Sequence, residues 1–101
     1  MIAIYKTPKD IEAFDKHYFE VHVPLAKELP GLVKYEVGNR QIMSTTGHSD
    51  VYCIGILYFE SLDALKSAFA SEQGKKCATD RRILAPGNDD VQIYIFDTFE
   101  V

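Results

Sequence analysis

Residues 51–59 have the sequence Val-Tyr-Cys-Ile-Gly-Ile-Leu-Tyr-Phe, which is the strongest strand signal in this chain of 101 residues. A strand with one wet face alternates apolar and polar side chains, but this stretch is apolar on both faces. One face would present Val51, Cys53, Gly55, Leu57 and Phe59, and the other Tyr52, Ile54, Ile56 and Tyr58. The pattern predicts a strand that is buried on both sides.

The segments around this strand have the periodicities of regular elements. In chain order we predict a strand at 2–6, a helix from 9 to about 29, a strand at 32–42, the strand at 51–59, two helical pieces from 61 to about 84, and a strand at 91–99. Pro30-Gly31 ends the first helix. Ser61 and Ser71 are expected N-caps of the two later pieces. The order is β-α-β-β-α-β, which is typical of a ferredoxin-like α+β domain with a four-stranded antiparallel sheet. At this length, residues 1–101 are expected to form one domain.

The helices can cover only one face of that sheet. The closing strand repeats the two-sided apolar pattern, because Val91, Ile93 and Ile95 alternate with Tyr94 and Phe96. Soluble monomers rarely expose an apolar patch of several hundred Å². We therefore expect a homodimer in which two sheets pack face to face, forming a dimeric α+β barrel.

Composition excludes several classes of partner. The net charge of −4 and the pI near 5.2 argue against nucleic acid and anionic lipid, which select for basic patches. No apolar stretch approaches the roughly 20 residues that span a bilayer, and the charged N-terminus is unlike a signal peptide. The two cysteines, Cys53 and Cys77, are expected to be buried, reduced thiols. These features favour a cytoplasmic protein.

The first predicted helix places a histidine on its buried face. His22 follows Phe14 and Tyr18 at intervals of four residues, so it should point toward the sheet. Pro24 cannot donate to the carbonyl of Glu20, so the helix should be distorted there. A distorted helix beside an inward histidine predicts a cavity between helix and sheet, in which His22 could act as a general acid or base. The alternative is a core histidine with a purely structural hydrogen bond.

Other polar residues offer fewer signals. His17 is expected on the polar side of the helix and His48 in a loop, so no metal site is predicted. No nucleotide-binding or nucleophile motif is recognisable, so no cofactor is expected. The chain has six tyrosines, most of them packing residues, and an inward hydroxyl could bind a ligand oxygen or orient His22. The candidate ligand-binding residues are Tyr18, Tyr35 and Tyr52.

Several blocks of the sequence resemble the EthD-like family of the dimeric α+β barrel superfamily. They are His22-Val23-Pro24-Leu25 with Leu29-Pro30-Gly31-Leu32, the segments 58–65 and 69–74, and the opening Tyr5-Lys6-Thr7-Pro8. The resemblance implies a ferredoxin-like subunit, a dimer formed through the sheets, and a pocket between sheet and helices. The family name is associated with ethyl tert-butyl ether degradation, and the motif histidine corresponds to His22. Relatives in the superfamily include lactone isomerases, polyketide cyclases, cofactor-independent monooxygenases and haem-handling proteins.

Three functions are compatible with these features. The first is a cofactor-independent isomerase, cyclase or oxygenase that uses His22 on a small oxygenated or aromatic metabolite. The second is a non-catalytic accessory protein that binds a hydrophobic metabolite. The third is a haem-binding protein with His22 as the axial ligand. The sequence does not decide whether the protein is an enzyme.

Overall fold

The structure, a computed structural model, describes residues 1–39 and 41–101. Its elements follow the predicted order. They are β1 (Ile2–Lys6), α1 (Ile11–His17), a π-helical turn (Tyr18–His22), α2 (Val23–Lys27), β2 (Lys34–Val37), β3 (Val51–Tyr58), α3 (Leu62–Ala70), α4 (Glu72–Leu84) and β4 (Val91–Tyr94).

The four strands form one sheet in the order β2-β3-β1-β4, with every pair antiparallel. The helices cover one face, where Ala3, Cys53 and Leu57 are buried against them. This arrangement confirms the predicted ferredoxin-like α+β fold.

Three strands are shorter than predicted, and β3 differs only in ending at Tyr58 rather than Phe59. β4 ends at Tyr94 because its ladder with β1 stops at the pair Ile2–Tyr94. β2 covers only Lys34–Val37, although backbone hydrogen bonds from Val33 and Gly38 to β3 continue the pairing at each end. The predicted strand at 32–42 also included Arg40, which lies outside the described residues.

A β-bulge changes the direction of Tyr52. Tyr5 pairs with Cys53 and Lys6 pairs with Val51, so Tyr52 is an extra residue in β3. The strict alternation predicted for residues 51–59 placed Tyr52 on the same face as Ile54 and Ile56, which lie on the side away from the helices. Instead, its ring meets Phe14 of α1 edge to face, with the ring centroids 5.6 Å apart. The alternation is wrong at this position because the bulge adds one residue to one strand only.

The two predicted N-caps are confirmed. Ser61 Oγ accepts a hydrogen bond from the Ala64 amide at 3.1 Å, and Ser71 Oγ accepts one from the Gly74 amide at 3.1 Å. The helices α3 and α4 therefore meet at a sharp corner. A Cβ on Gly74 would lie against the backbone of Ala68 and Phe69, so only glycine fits this corner.

The face of the sheet opposite the helices, here called the outer face, is apolar on the two central strands and carries Lys34, Glu36 and Gln92 on the two edge strands. Its side chains follow from the strand register, and all are partly or fully exposed in the single chain. They include Ile2, Ile4, Ile54, Ile56 and Tyr94. In a four-stranded sheet such a surface is typical of an interaction site.

Both cysteines are buried and free, as expected. None of the helices within residues 1–39 and 41–101 combines the length and the apolar character that crossing a bilayer requires.

Candidate functional site

A cavity of about 390 Å³ lies between the helices and the covered face of the sheet. Its wall is mostly apolar, with Ala3, Leu57 and Phe69 among the lining residues. The polar groups that reach it include His22, Tyr5 and Tyr35. A mostly apolar cleft with a few convergent polar groups is the usual form of a small-molecule site, and this volume suits a small ligand.

The π-helical turn determines which side chains face this cavity. The Val23 amide donates to the Tyr18 carbonyl, five residues back. Pro24 has no amide hydrogen to give the Glu20 carbonyl, which favours a wider turn here. In a regular α-helix, His17 and His22 would point about 140° apart. The wider turn brings both imidazoles to the same side, toward α4.

Asp80 of α4 is hydrogen-bonded to both imidazoles. Its Oδ1 lies 2.8 Å from His17 Nε2, and its Oδ2 lies 2.9 Å from His22 Nδ1. Asp80 is 7% exposed and His22 is 8% exposed, so the pair is enclosed by protein. The expectation that His17 lies on the polar side of the helix is therefore wrong, because the π-helical turn rotates it toward Asp80.

These contacts define the tautomer of each histidine. A carboxylate only accepts hydrogen bonds, so the bonded nitrogen of each ring must carry the hydrogen. When neutral, His22 is then protonated at Nδ1 and has a free lone pair at Nε2. In the described part of the chain, no buried side-chain nitrogen or oxygen lacks a partner, and no hydrogen bond involves His22 Nε2. Nε2 therefore keeps some open surface, and the cavity is the open space that His22 lines.

Opposing effects act on the pKa of His22. Burial is the largest and lowers the pKa below its usual value near 6.5, while the hydrogen bond and the negative charge of Asp80 raise it. The charges of His17 and Arg81 lower it further. The net result is a lowered pKa, so His22 is neutral at pH 7 and able to accept a proton at Nε2.

The candidate tyrosines differ in their positions. Tyr35 lines the cavity, whereas Tyr18 is fully buried behind it, and their hydroxyls are hydrogen-bonded at 2.6 Å. Tyr18 also stands beside His22, with a ring distance of 5.6 Å. Burial raises the pKa of Tyr35 to about 12. A Cβ on Gly55 would come within 2.7 Å of the Tyr18 hydroxyl, so this glycine makes room for the pair.

Tyr52 does not line the cavity. Its hydroxyl donates to the Asp15 carboxylate at 2.8 and 3.0 Å, which anchors α1 to β3. Tyr5, which was not among the candidates, is a cavity residue, and burial raises its pKa. No hydrogen bond of its hydroxyl is found within the described ranges, and no fully buried polar atom there lacks a partner, so this hydroxyl keeps some open surface. Tyr5 also lines a second cleft on the side of Thr7 and Phe14.

Sequence reasoning missed Asp80 and Tyr5 as site residues, although signals for both exist. Asp80 lies three residues after Cys77 and four before Leu84, on the buried stripe of α4. A carboxylate on an apolar stripe has to have a partner. Tyr5 alternates with Ala3 on the inward face of β1. No group of three or more potential metal ligands is found among residues 1–39 and 41–101.

Comparison with known proteins supports the resemblance noted in the sequence. The family profile of the EthD domain matches residues 6–85. The chain belongs to the EthD family. A crystal structure of an EthD family protein from Bacillus halodurans superimposes with a TM-score of 0.86 at 32% identity, covering 97% of this chain and 95% of that one.

Two further proteins are similar to this chain. An uncharacterized 11.0 kDa protein from the thcB–thcC intergenic region of Rhodococcus erythropolis is 36% identical over 84 residues, covering 83% of this chain and 81% of that protein. A structure from Arabidopsis thaliana aligns with a TM-score of 0.67 at 19% identity, covering 99% and 94% of the two chains. The latter likeness extends to the fold alone.

Proposed function

We propose that this EthD protein is a cofactor-independent enzyme that transfers protons on a small oxygenated or aromatic metabolite. The observation that carries the proposal is the hydrogen bond between Asp80 and His22 Nδ1, which leaves Nε2 as the acceptor at an apolar cavity. An inward-facing base of lowered pKa, oriented by a carboxylate, is the arrangement that general acid–base catalysis uses.

In the proposed reaction, His22 Nε2 removes a proton from a carbon next to a carbonyl group. The electron pair of the broken C–H bond moves to the carbonyl oxygen and forms an enolate. The imidazolium that results is stabilised by the Asp80 carboxylate at 2.9 Å. If the substrate has a β,γ C=C bond, the enolate is conjugated with it. Return of the proton from the imidazolium to the γ carbon then moves the double bond and completes an isomerisation with no net change in atoms or electrons.

The remaining groups support this chemistry. His17 binds the second oxygen of Asp80 and so acts as a positioning residue. Tyr5 lines the same cavity, and its hydroxyl can donate to an enolate oxygen. Ethyl tert-butyl ether itself has no proton acidic enough for an imidazole to remove. We therefore expect the substrate to be a carbonyl compound and not the ether itself.

The test is deuterium exchange. We expect the protein to accelerate exchange in D2O of the activated CH2 group of 2-tetralone, a bicyclic ketone, followed by ¹H NMR. His22→Gln should lower the catalysed rate about 10²- to 10⁴-fold. His48→Gln, which changes an exposed histidine in a loop, is the matched control and should be active. Unchanged exchange with His22→Gln would remove the proposal.

Other outcomes favour the other functions. Ligand-dependent thermal stabilisation with no exchange by the wild type would favour the accessory binding protein, in which His22 affects affinity only. Addition of haemin to the wild type gives a separate outcome, because a histidine-ligated Soret band that is lost in His22→Gln would favour haem binding.

We also propose that the outer face binds a second copy of this chain. The apolar residues of the outer face are uncovered in one subunit, and a second subunit presents the same surface to them. Ile54 and Ile56 lie near the middle of this face, on β3. Sedimentation at low micromolar concentration should give dimers for the wild type and monomers for Ile56→Lys. A wild type that sediments only as a monomer would contradict this assembly.

A further inference from the structure

Among the described residues, two cationic side chains line the cavity, although the protein as a whole has a net charge of −4. Arg81 reaches it from α4 and Lys66 from α3, and none of the described residues in the lining is an aspartate or glutamate. The lining therefore carries two positive charges beside the hydroxyls and imidazole named above, and the negative charge of Asp80 is held behind His22. The positive sign of the lining is opposite to that of the whole protein, which points to selection for a ligand of negative charge.

Arg81 has unused donors in this position. It is partly buried, and its Nη1 donates to the Ala85 carbonyl at the long distance of 3.4 Å. A guanidinium has five N–H donors in a planar fork, so most of them are left over. No carboxylate lies within ion-pair distance of Arg81 in the part of the chain that the structure describes. The remaining donors of Arg81 keep some exposed surface, since no fully buried side-chain nitrogen of the described residues lacks a partner, and a carboxylate matches the guanidinium fork in two parallel bonds.

The charge of Arg81 also acts on the two other polar groups of the cavity. It lowers the pKa of the Tyr5 hydroxyl and that of the His22 imidazole, although burial dominates both pKa values. The charged groups that act on His22 are Asp80, His17 and Arg81. Arg81, Tyr5 and His22 line the same cavity of about 390 Å³, so one small ligand can contact all three.

We propose that the cavity binds a small apolar acid whose carboxylate pairs with Arg81. The apolar body of this ligand would contact Ala3, Leu57 and Phe69. Lys66, which is exposed, would attract the anion from the rim. This inference extends the proposed function by naming its substrate class, an aromatic or aliphatic oxo-acid, but the binding step does not depend on catalysis by His22.

The experiment compares 4-phenylbutyrate with 4-phenylbutyramide, which have nearly the same shape and differ in charge. We expect calorimetry or NMR titration of the wild type to show at least about tenfold tighter binding of the carboxylate. Arg81→Gln should reduce this preference to near unity, and Arg81→Lys should retain part of it. Lys66→Gln should have a smaller effect because solvent screens an exposed charge. Arg82→Gln, a neighbouring exposed arginine that does not line the cavity, is the matched control.

Equal binding of acid and amide by the wild type would overturn the inference, as would absence of binding by both in the millimolar range. The same holds if Arg82→Gln removes the preference as fully as Arg81→Gln does. The wild-type comparison needs no variant, so it stands even if Arg81 variants fold poorly. His22→Gln separates the two proposals, because it should keep the preference for the acid while losing deuterium exchange.

Discussion

Asp80→Asn removes the charge that both histidines contact, and it tests the site through stability and protonation together. Asp80 accepts hydrogen bonds at 2.8 and 2.9 Å, and hydrogen bonds to an ionised group contribute about 1.5–3 kcal/mol each. The bond to His17 belongs at the lower end, because the His17 side chain is 29% exposed. Asparagine keeps one acceptor oxygen, so one of the two hydrogen bonds can remain. Removing a buried charge also recovers its desolvation penalty, which offsets part of the lost stability.

The expected net loss is about 2 kcal/mol in the free energy of unfolding, which corresponds to roughly 8–16 °C in Tm for a domain of this size. Urea and thermal denaturation of the purified protein measure it. Asp89→Asn, at an exposed turn position, is the matched control and should lie within about 0.5 kcal/mol of the wild type.

The same variant should lower the pKa of His22. Asp80 supplies the interactions that raise this pKa, whereas burial, His17 and Arg81 all lower it. Removing the carboxylate charge therefore leaves at most one neutral hydrogen bond against the lowering contributions, and NMR titration of the ring proton should show the shift. An asparagine variant as stable as the wild type, or with a raised pKa of His22, would refute the account of this site.

Three other predictions concern the acid range, a helix corner and the second histidine. Burial holds the pKa of folded His22 below the unfolded value near 6.5, so the unfolded state binds more protons than the folded state below that pH. The urea midpoint of the wild type should therefore fall as pH decreases from about 6.5. A pH profile equally steep in His22→Gln would contradict this. Gly74→Ala should destabilise by about 2–3 kcal/mol in thermal denaturation, because its Cβ meets backbone; a gain in stability, as helix propensity alone predicts, would show that the corner is not tight. His17→Ala should lower turnover roughly tenfold with KM unchanged, since Asp80 loses one donor, and His17→Gln should restore part of it; full activity in His17→Ala would exclude a positioning role.

The fold was largely predictable because its signals are periodic and local. The apolar character of residues 51–59, the proline and glycine after the first helix, and the serine caps at Ser61 and Ser71 each act within a few residues. The strand ends were less predictable. β4 stops at Tyr94 because of where β1 pairs with it, which depends on a partner distant in the sequence.

The site was predictable only in part, for the same reason. The inward direction of His22 follows from helical spacing, and the structure confirms that this residue is buried. Asp80 lies 58 residues further along the chain, and only the packing of α4 against the π-helical turn joins them. The π-helical turn changes the angle between His17 and His22 from the value that about 3.6 residues per turn gives. The prediction assumed regular helical spacing, so it placed His17 on the wrong side of the helix.

The account depends most on which ring nitrogen of His22 carries hydrogen. A long-range ¹H–¹⁵N correlation spectrum of the wild type at about pH 7.5, above the ordinary histidine pKa near 6.5, reports this directly for each histidine. We predict the Nδ1–H form for His22 and the Nε2–H form for His17, because each donates to Asp80 through that nitrogen. An Nε2–H form of His22 would mean that no lone pair faces the cavity, and the proposed proton transfer would be contradicted.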